Sequence, residues 1–221
     1  MPDPIKKSFL LGWFFAILIA AIIKYVYMNK WDKIFESKPK YKPLNDIFFQ
    51  KLLEKVKKEI NPNLKNIIDL GCGTSRSVFQ FARMGFDVVG VDFSEVALSA
   101  LQNDIDDSDF NNIKLINQDL NDITLDLEAD IFICVFTYTF INDKEKFLKK
   151  IKSSMKEDSV FVLITPVTHE NVKYLEIDKP QIAVEYSSTV KLLKSVFSVV
   201  EDYHHDYIGA REDYVTFLVK K

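Results

Sequence analysis

Two glycines between a predicted strand and a predicted helix are the first residues whose spacing suggests chemistry. Gly71 and Gly73 flank Cys72 shortly after the strand that we predict at 66–69. Glycines at such a turn let the backbone approach a ligand closely at the start of a helix. A dinucleotide fingerprint would need another glycine at position 76, which is Arg76, and no Gly-Lys-Ser/Thr follows. The loop therefore predicts neither a dinucleotide site nor a phosphate-cradling loop.

Three aspartates come at the ends of the predicted strands around this loop. Asp69 precedes the first glycine by two residues, Asp92 ends the next strand, and Asp119 follows the third. Because the carboxyl ends of parallel strands meet at one sheet edge, we expect the three carboxylates to share a crevice. An acid beside the glycine loop repels phosphate and attracts ammonium, the second can accept ribose hydroxyls, and the third an adenine amino group. Phe93 and Leu120 can enclose the adenine ring, so S-adenosylmethionine fits this crevice.

The elements that must position these residues alternate between strand and helix. The apolar strands are typical of a parallel sheet that is covered on both faces. We predict an α/β, Rossmann-like, doubly wound and mostly parallel sheet of seven strands, in a domain over 43–221 that ends in an antiparallel hairpin. Strands are predicted at 66–69, 86–91, 113–117, 131–136 and 160–164, helices at 75–84, from 94, from 143 and at 188–196, and the hairpin over 197–207 and 214–219.

Three phrases in this domain carry a family resemblance. Ile-Ile-Asp-Leu-Gly-Cys-Gly-Thr, Val-Val-Gly-Val-Asp-Phe-Ser and Asn-Gln-Asp-Leu occur in this order. With them, residues 66–165 resemble a class I S-adenosylmethionine-dependent methyltransferase of the kind that acts on small molecules or lipids. The resemblance implies Asp69 and the glycines at the methionine moiety, Asp92 at the ribose and Asp119 near adenine. Ser75 departs from the family's usual third glycine. The predicted cofactor-binding residues are Asp69, Gly71, Cys72, Gly73, Asp92, Phe93, Asp119, Leu120 and Phe136.

The sequence does not assign a general base. Relatives that methylate amino groups of DNA or glutamine carry Asn/Asp-Pro-Pro-Tyr/Phe after the fourth strand, where residues 136–139 read Phe-Thr-Tyr-Thr. Those substrates are therefore not expected, and a base is needed only for an acceptor that must lose a proton. The candidates are His169 and Glu170 after the fifth strand, and His204 and His205 in the hairpin. A surface role is about as compatible with each of them.

The N-terminal part of the chain differs in composition from the rest. Residues 9–28 contain no charge except Lys24, and a helix of that length rises about 30 Å, the thickness of a bilayer core. We predict an uncleaved transmembrane helix over 9–28, after a tail at 1–8 and before a linker at 29–42, with Trp31 at the membrane interface. Two lysines precede the run and five follow it before residue 43, so the domain is expected to face the cytoplasm.

Overall composition excludes several classes of protein. The chain of 221 residues is 48% hydrophobic and 28% charged, with a formal net charge of −3. These values exclude a disordered protein. They also argue against a nucleic-acid partner, because proteins that bind nucleic acids usually carry a strongly basic surface. The three histidines lie far from both cysteines in the sequence, so no metal-ligand spacing is present and no metal is expected.

These features predict a membrane-anchored methyltransferase. It would transfer the methyl group of S-adenosylmethionine to a small-molecule or lipid-like acceptor by in-line displacement. Two alternatives stay open at this point. One is a protein methyltransferase that acts on a membrane-associated protein, and the other is a non-catalytic membrane scaffold with a retained cofactor fold.

Overall fold

The computed structural model of the protein describes residues 17–19, 22, 25, 26, 30–37, 50, 54, 63–122, 128–169, 182–205 and 213–221. The strands are β1 (Asn66–Leu70), β2 (Asp87–Asp92), β3 (Ile113–Asn117), β4 (Ala129–Val135), β5 (Met155–Thr168), β6 (Val184–Glu185), β7 (Val199–His205) and β8 (Asp213–Lys220). The helical segments are α1 (30–37), α2 (Ser77–Arg83), α3 (Glu95–Asp106), α4 (Lys144–Ser154) and α5 (Tyr186–Val196). Leu120–Asp122 and Tyr138–Phe140 form 3₁₀ turns.

All eight strands belong to one mixed sheet. Its order is β3-β2-β1-β4-β5-β8-β7, with β6 beside β5. Strands β1 to β6 pair in parallel, whereas β8 runs antiparallel to both β5 and β7. The predicted α/β architecture with a closing antiparallel hairpin is confirmed. The predicted number of seven strands is wrong, because β6 has only two residues and therefore no recognisable alternation of its own.

Strand β5 is much longer than predicted. It continues on both sides of 160–164 and pairs with β8 from Val160↔Lys220 to Val167↔Asp213. The antiparallel partner supplies a ladder along this whole stretch, so polar and proline residues beyond the apolar centre still join the sheet. As a consequence, β5 extends past the carboxyl end of β4, whose last residue Val135 pairs with Ile164.

Alternate residues of the central strands pack on opposite faces of the sheet. Ile67 and Ile131 are buried in a cluster with α2 and α3, whereas Ile68 and Phe132 are buried in a cluster with α4 and α5. This period of two fixes which residues of each strand line the core.

Two of the predicted helix starts are confirmed by their N-cap residues. Ser94 Oγ accepts the Ala97 N–H at 3.1 Å, and Asp143 Oδ1 accepts the Lys146 N–H at 2.9 Å.

Most of the predicted transmembrane helix over 9–28 lies outside the described residues. Those that are described (17–19, 22, 25 and 26) are helical and exposed. In the described part of the chain, no helix combines the length and apolarity needed to cross a membrane, so this prediction is not confirmed. Within the predicted linker, residues 30–37 are helical and pack against the domain.

Candidate cofactor site

The strand order creates a crevice at the carboxyl edge of the sheet. The chain runs from β1 outward to β2 and β3 on one side, and then returns to β4 on the other side. In such sheets ligands bind where the order reverses, beyond the carboxyl ends of the strands. Asp69 lies in β1, Asp92 ends β2, and Asp119 follows β3 by two residues. The structure thus brings the three predicted acids to the same edge.

The loop after β1 needs glycine at its first position. Gly71 has a φ of +80°, and its N–H donates to the Val91 carbonyl at 2.7 Å. A Cβ atom at this position would lie 2.3 Å from Oγ1 of Thr137. Any other residue would therefore meet both backbone strain and a collision with the loop after β4. Gly71 closes the contact between these two loops.

The amides of this loop are already used within the protein. The Cys72 N–H donates to the Val91 carbonyl at 3.1 Å, and the Gly73 N–H donates to Oδ2 of Asp92 at 2.9 Å. These amides cannot cradle an anion while they make these bonds. The geometry agrees with the sequence argument that the loop is not a phosphate site.

Asp92 is held firmly by backbone amides. It is 7% exposed, and its Oδ1 accepts the Ser94 N–H at 2.9 Å while Oδ2 accepts the Gly73 N–H. Burial raises the pKa of this carboxyl, the amide bonds oppose that rise, and the Asp32 charge adds to it. Each oxygen keeps a second lone pair, so the carboxylate can still accept hydroxyl groups from a ligand.

Asp69 differs because it has no hydrogen bond to any residue that the structure describes. Its side chain is 3% exposed. Burial, and next the Asp92 charge, raise its pKa to about 7. A buried carboxylate without a partner is costly, and a cation beside it removes that cost. The cationic methionine end of S-adenosylmethionine fits this position.

The three residues predicted to contact adenine differ in how deeply they are buried. Asp119 is half-buried, and its Oδ1 accepts the Asn121 N–H at 2.9 Å. Leu120 is 5% exposed and belongs to the core cluster of α4 and α5, whereas Phe93 is only partly buried. Contacts of these three residues with adenine stay predictions.

The Cys72 side chain packs into the core below the loop. It is 2% exposed, and its Sγ lies 3.0 Å from where a Cβ of Gly90 would be. Burial raises the pKa of this thiol well above its usual value. We infer that Cys72 supports the loop from below, while its predicted cofactor contact is untested.

Phe136 has an unusual backbone at the end of β4. Its φ is +56°, a value that L-residues with bulky side chains seldom adopt, and its N–H donates to the Ile164 carbonyl at 2.8 Å. This bend directs the chain back, so that Thr137 Oγ1 donates to the Gly71 carbonyl at 3.2 Å. The Phe136 ring itself is 38% exposed and meets the Tyr214 ring edge-on at 5.8 Å. It therefore faces the β5–β8 side of the crevice.

Among the four candidate general bases, the structure describes the side chain of His169 alone. His169 lies five residues beyond Ile164, about 16 Å along the extended β5, with its ring 5.1 Å from that of Tyr186. His204 and His205 belong to β7, the sheet's edge strand, which lies three strand spacings, about 14 Å, from β4. The side chains of these two histidines and the whole of Glu170 lie outside the described residues.

Three residues at the crevice were not expected from the sequence. Asp32 accepts a hydrogen bond from Ser94 Oγ, Phe35 packs on Gly73, and Trp31 packs on Phe140 rather than at a predicted membrane interface. The i, i+4 spacing of Trp31 and Phe35 on one helix face was the available signal. It gave no indication of what that face covers.

Comparison with known proteins identifies the family. Residues 61–207 match the family described as methyltransferase domain. The putative methyltransferase YqeM of Bacillus subtilis is 29% identical over 118 residues, which are 52% of this chain and 47% of that protein. Carboxy-S-adenosyl-L-methionine synthase of Campylobacter fetus is 29% identical over 136 residues, 58% of this chain and 55% of that protein. The chain spans about half the length of these relatives.

A solved structure shows the same fold. Magnesium protoporphyrin IX methyltransferase from Synechocystis PCC 6803, with bound S-adenosylhomocysteine, superposes with a TM-score of 0.60 at 16% identity. The match covers 80% of this chain and 83% of that protein. The chain belongs to the methyltransferase-domain family, with the Rossmann-like fold of class I S-adenosylmethionine-dependent enzymes, and its cofactor is S-adenosylmethionine.

Proposed function

We propose that the protein is a methyltransferase that acts on a small-molecule or lipid-like acceptor from a position on a membrane, with its domain on the cytoplasmic side. The observation that carries the methyltransferase part is Asp69. It is a buried carboxylate at the switch point of the sheet, with no hydrogen bond among the described residues, next to a glycine loop whose amides are used internally. Such a site suits a cationic ligand and not a phosphate.

Each residue of the site has a distinct part in this reaction. S-adenosylmethionine supplies an electrophilic methyl group, which an acceptor takes by in-line displacement. Asp69 holds the positive charge of the methionine end, and Asp92 orients the ribose through its remaining lone pairs. Because both acids are fixed in the sheet edge before binding, alignment rather than covalent chemistry supplies much of the rate.

The acceptor is expected on the side of Phe136. The exposed ring of Phe136 and its neighbour Tyr214 form an aromatic surface beyond β4, on the β5–β8 side of the crevice. Such a surface favours an uncharged, flat or hydrocarbon-rich acceptor. The acids nearby disfavour an anionic one. The magnesium protoporphyrin IX methyltransferase that shares this fold is named for a small-molecule substrate.

The membrane part of the proposal is supported by the apolar N-terminal segment. Its described residues Ile17, Leu18, Ile19, Ile22, Tyr25 and Val26 are between 44% and 67% exposed. A contiguous set of exposed apolar side chains marks a protein or membrane interaction site. A bilayer would also raise the local concentration of a lipid-borne acceptor.

Transfer of a labelled methyl group tests the reaction and the acceptor class together. The full-length protein is incubated with tritiated S-adenosylmethionine and a membrane extract, and label is counted in the organic, protein and aqueous fractions. Label in the organic fraction that Asp92→Ala abolishes supports the proposal. Label in a protein band favours the protein methyltransferase instead. Cofactor binding without any transfer favours the non-catalytic scaffold.

Flotation with liposomes tests the membrane position. We expect the wild-type chain to float with the vesicles and a variant carrying Ile19→Asp and Ile22→Asp to stay in the soluble fraction. Two acids in the middle of the apolar run make insertion unfavourable. If both proteins stay in the soluble fraction while calorimetry shows equal cofactor binding, the membrane part is wrong and the methyltransferase part stands.

A further inference from the structure

Segment α1 lies directly on the loops that form the cofactor crevice. Trp31, Asp32 and Phe35 occupy one face of this helical segment, since positions i, i+1 and i+4 are neighbours there. Phe35 is 7% exposed, and two of its ring carbons lie 3.0 Å from where a Cβ of Gly73 would be. The Phe35 ring is therefore in contact with the glycine loop.

The other two residues of this face reach two more loops of the crevice. Asp32 Oδ1 accepts a hydrogen bond from Ser94 Oγ at 2.5 Å, in the loop after β2. The Trp31 ring meets the Phe140 ring edge-on at 4.8 Å, in the turn after β4. The face thus contacts the loops after β1, β2 and β4, which also present the cofactor-site residues. The family match begins at residue 61, so α1 lies outside it.

The contacts of α1 are of a kind that can open. Those that the structure describes include the Asp32–Ser94 hydrogen bond, the Trp31–Phe140 ring contact and the packing of Phe35 on Gly73. The Asp32 carboxylate also lies close enough to Asp92 to raise the pKa of that acid, so the closed position carries a repulsion between two carboxylates. The loops below are fixed by backbone bonds and by the Gly71–Thr137 contact, which makes α1 the part that has to move.

We propose that α1 is a gate of the cofactor crevice: the cofactor enters and leaves only when Trp31, Asp32 and Phe35 have lifted from the three loops. The closed gate excludes water from the site, and its opening limits the exchange of S-adenosylmethionine for S-adenosylhomocysteine. This inference depends on the proposed function, because it requires that the crevice binds the cofactor.

The gate can be followed through a tryptophan of its own. The chain has two tryptophans, Trp13 and Trp31, so Trp13→Phe leaves the α1 ring as the sole tryptophan. Full-length Trp13→Phe protein in detergent is mixed rapidly with S-adenosylhomocysteine, and association and dissociation rates are read from the emission of Trp31. We expect a saturable change of emission, because α1 closes again over the bound ligand and the surroundings of the Trp31 ring then differ from those in the ligand-free protein.

Variants of the contacting face then separate a gate from a passive helix. Phe35→Ala is expected to raise the association and dissociation rate constants several-fold, because a weakened gate opens more often. Phe35→Leu, which keeps an apolar side chain on Gly73 but loses the ring, is expected to act in the same direction if Phe35→Ala fails to fold. Lys33→Ala on the exposed face of α1 is the matched control and should leave both rates unchanged.

The outcomes distinguish this inference from the proposed function. If S-adenosylhomocysteine binds by calorimetry but Trp31 emission does not change, α1 does not gate the crevice. Unchanged rates in the folded Phe35→Ala variant, or in Phe35→Leu where the alanine variant does not fold, overturn the gate in the same way. If the wild-type protein binds no cofactor at all, it is the proposed function that fails.

Discussion

The two edges of the sheet carry aspartates in opposite electrostatic situations. At the amino edge, Asp130 accepts the Lys65 N–H at 2.8 Å, the Asn66 N–H at 3.1 Å and Lys156 Nζ at 3.3 Å. These bonds outweigh its partial burial and lower its pKa. At the carboxyl edge, burial raises the pKa of both Asp69 and Asp92. Asp130 is thus stabilised in its ionised form by the fold, whereas the ionised forms of Asp69 and Asp92 are disfavoured by burial, as expected of acids that the proposed ligand would stabilise.

The two acids at the carboxyl edge also differ from each other in the hydrogen bonds that they accept. Asp92 accepts hydrogen bonds from two backbone amides, so in the proposed site it would share its oxygens between the protein and the ligand. Asp69 has no hydrogen bond among the described residues and therefore gains most from a cation. The comparison predicts that substitutions of Asp92, Asp69 and Asp130 differ in their effects on ligand affinity and on stability.

The largest effect is expected for Asp92→Ala. The substitution removes the ribose acceptor and also leaves the Gly73 and Ser94 amides without their partner. We expect S-adenosylmethionine affinity to fall by about 2–4 kcal/mol and the melting temperature to drop as well. Calorimetric titration and thermal unfolding of the full-length protein measure the two effects. Asp92→Asn keeps one acceptor oxygen, so its losses of affinity and melting temperature should be smaller than those of Asp92→Ala. Equal losses for the two variants would contradict this account.

Asp69→Asn should separate affinity from stability. Affinity is expected to fall by about 1.5–3 kcal/mol, because the charge that holds the cationic ligand is gone. The ligand-free protein should become more stable. The folded pKa of about 7 lies above the ordinary value of 3.8, so the wild-type protein loses stability as pH rises between them. Asparagine removes that loss.

Urea unfolding at two pH values checks the stability part. We expect the ligand-free Asp69→Asn variant to exceed the wild type by about 1–3 kcal/mol at pH 8 and to match it near pH 4, where both carry a neutral group. A lower stability than the wild type at pH 8 would show that the ionised carboxylate has a structural partner. The contrast between the two sheet edges would then disappear.

The pH dependence of binding gives a smaller effect of the same origin. A group with a pKa near 7 must ionise to hold a cation, so affinity should be about tenfold lower at pH 6.0 than at pH 7.5. Titrations in two buffers of different ionisation enthalpy should reveal a proton released on binding at pH 6.0. Asp69→Asn should bind with equal affinity at both values, and a persisting pH dependence in that variant would assign the proton to another group.

The sequence predicted the parts of this site that depend on local pattern. Asp69, Asp92 and Asp119 were found because each follows a short apolar run, and the sheet edge follows from that order alone. The contact of Thr137 with Gly71 and the packing of α1 on the loops were not predicted, because they join residues far apart in the chain. The different hydrogen bonding of Asp69 and Asp92 was also not predicted, since it depends on which backbone amides point at each carboxylate.

Asp130→Asn is expected to give the smallest effect and to test the other side of the comparison. Its lowered pKa means that the ionised form stabilises the fold above the ordinary value of 3.8, and that this stability is lost as pH falls through the lower, folded value. The Lys156 partner is 44% exposed, so solvent screens this pair and we expect a loss of only about 1 kcal/mol at pH 7. Cofactor affinity should not change, because the substitution lies at the opposite edge of the sheet. Urea unfolding and calorimetry of the same samples check both statements. A loss of affinity in Asp130→Asn would mean that the two edges are coupled through β1 and β4, and that satisfied and unsatisfied acids are not independent parts of this sheet.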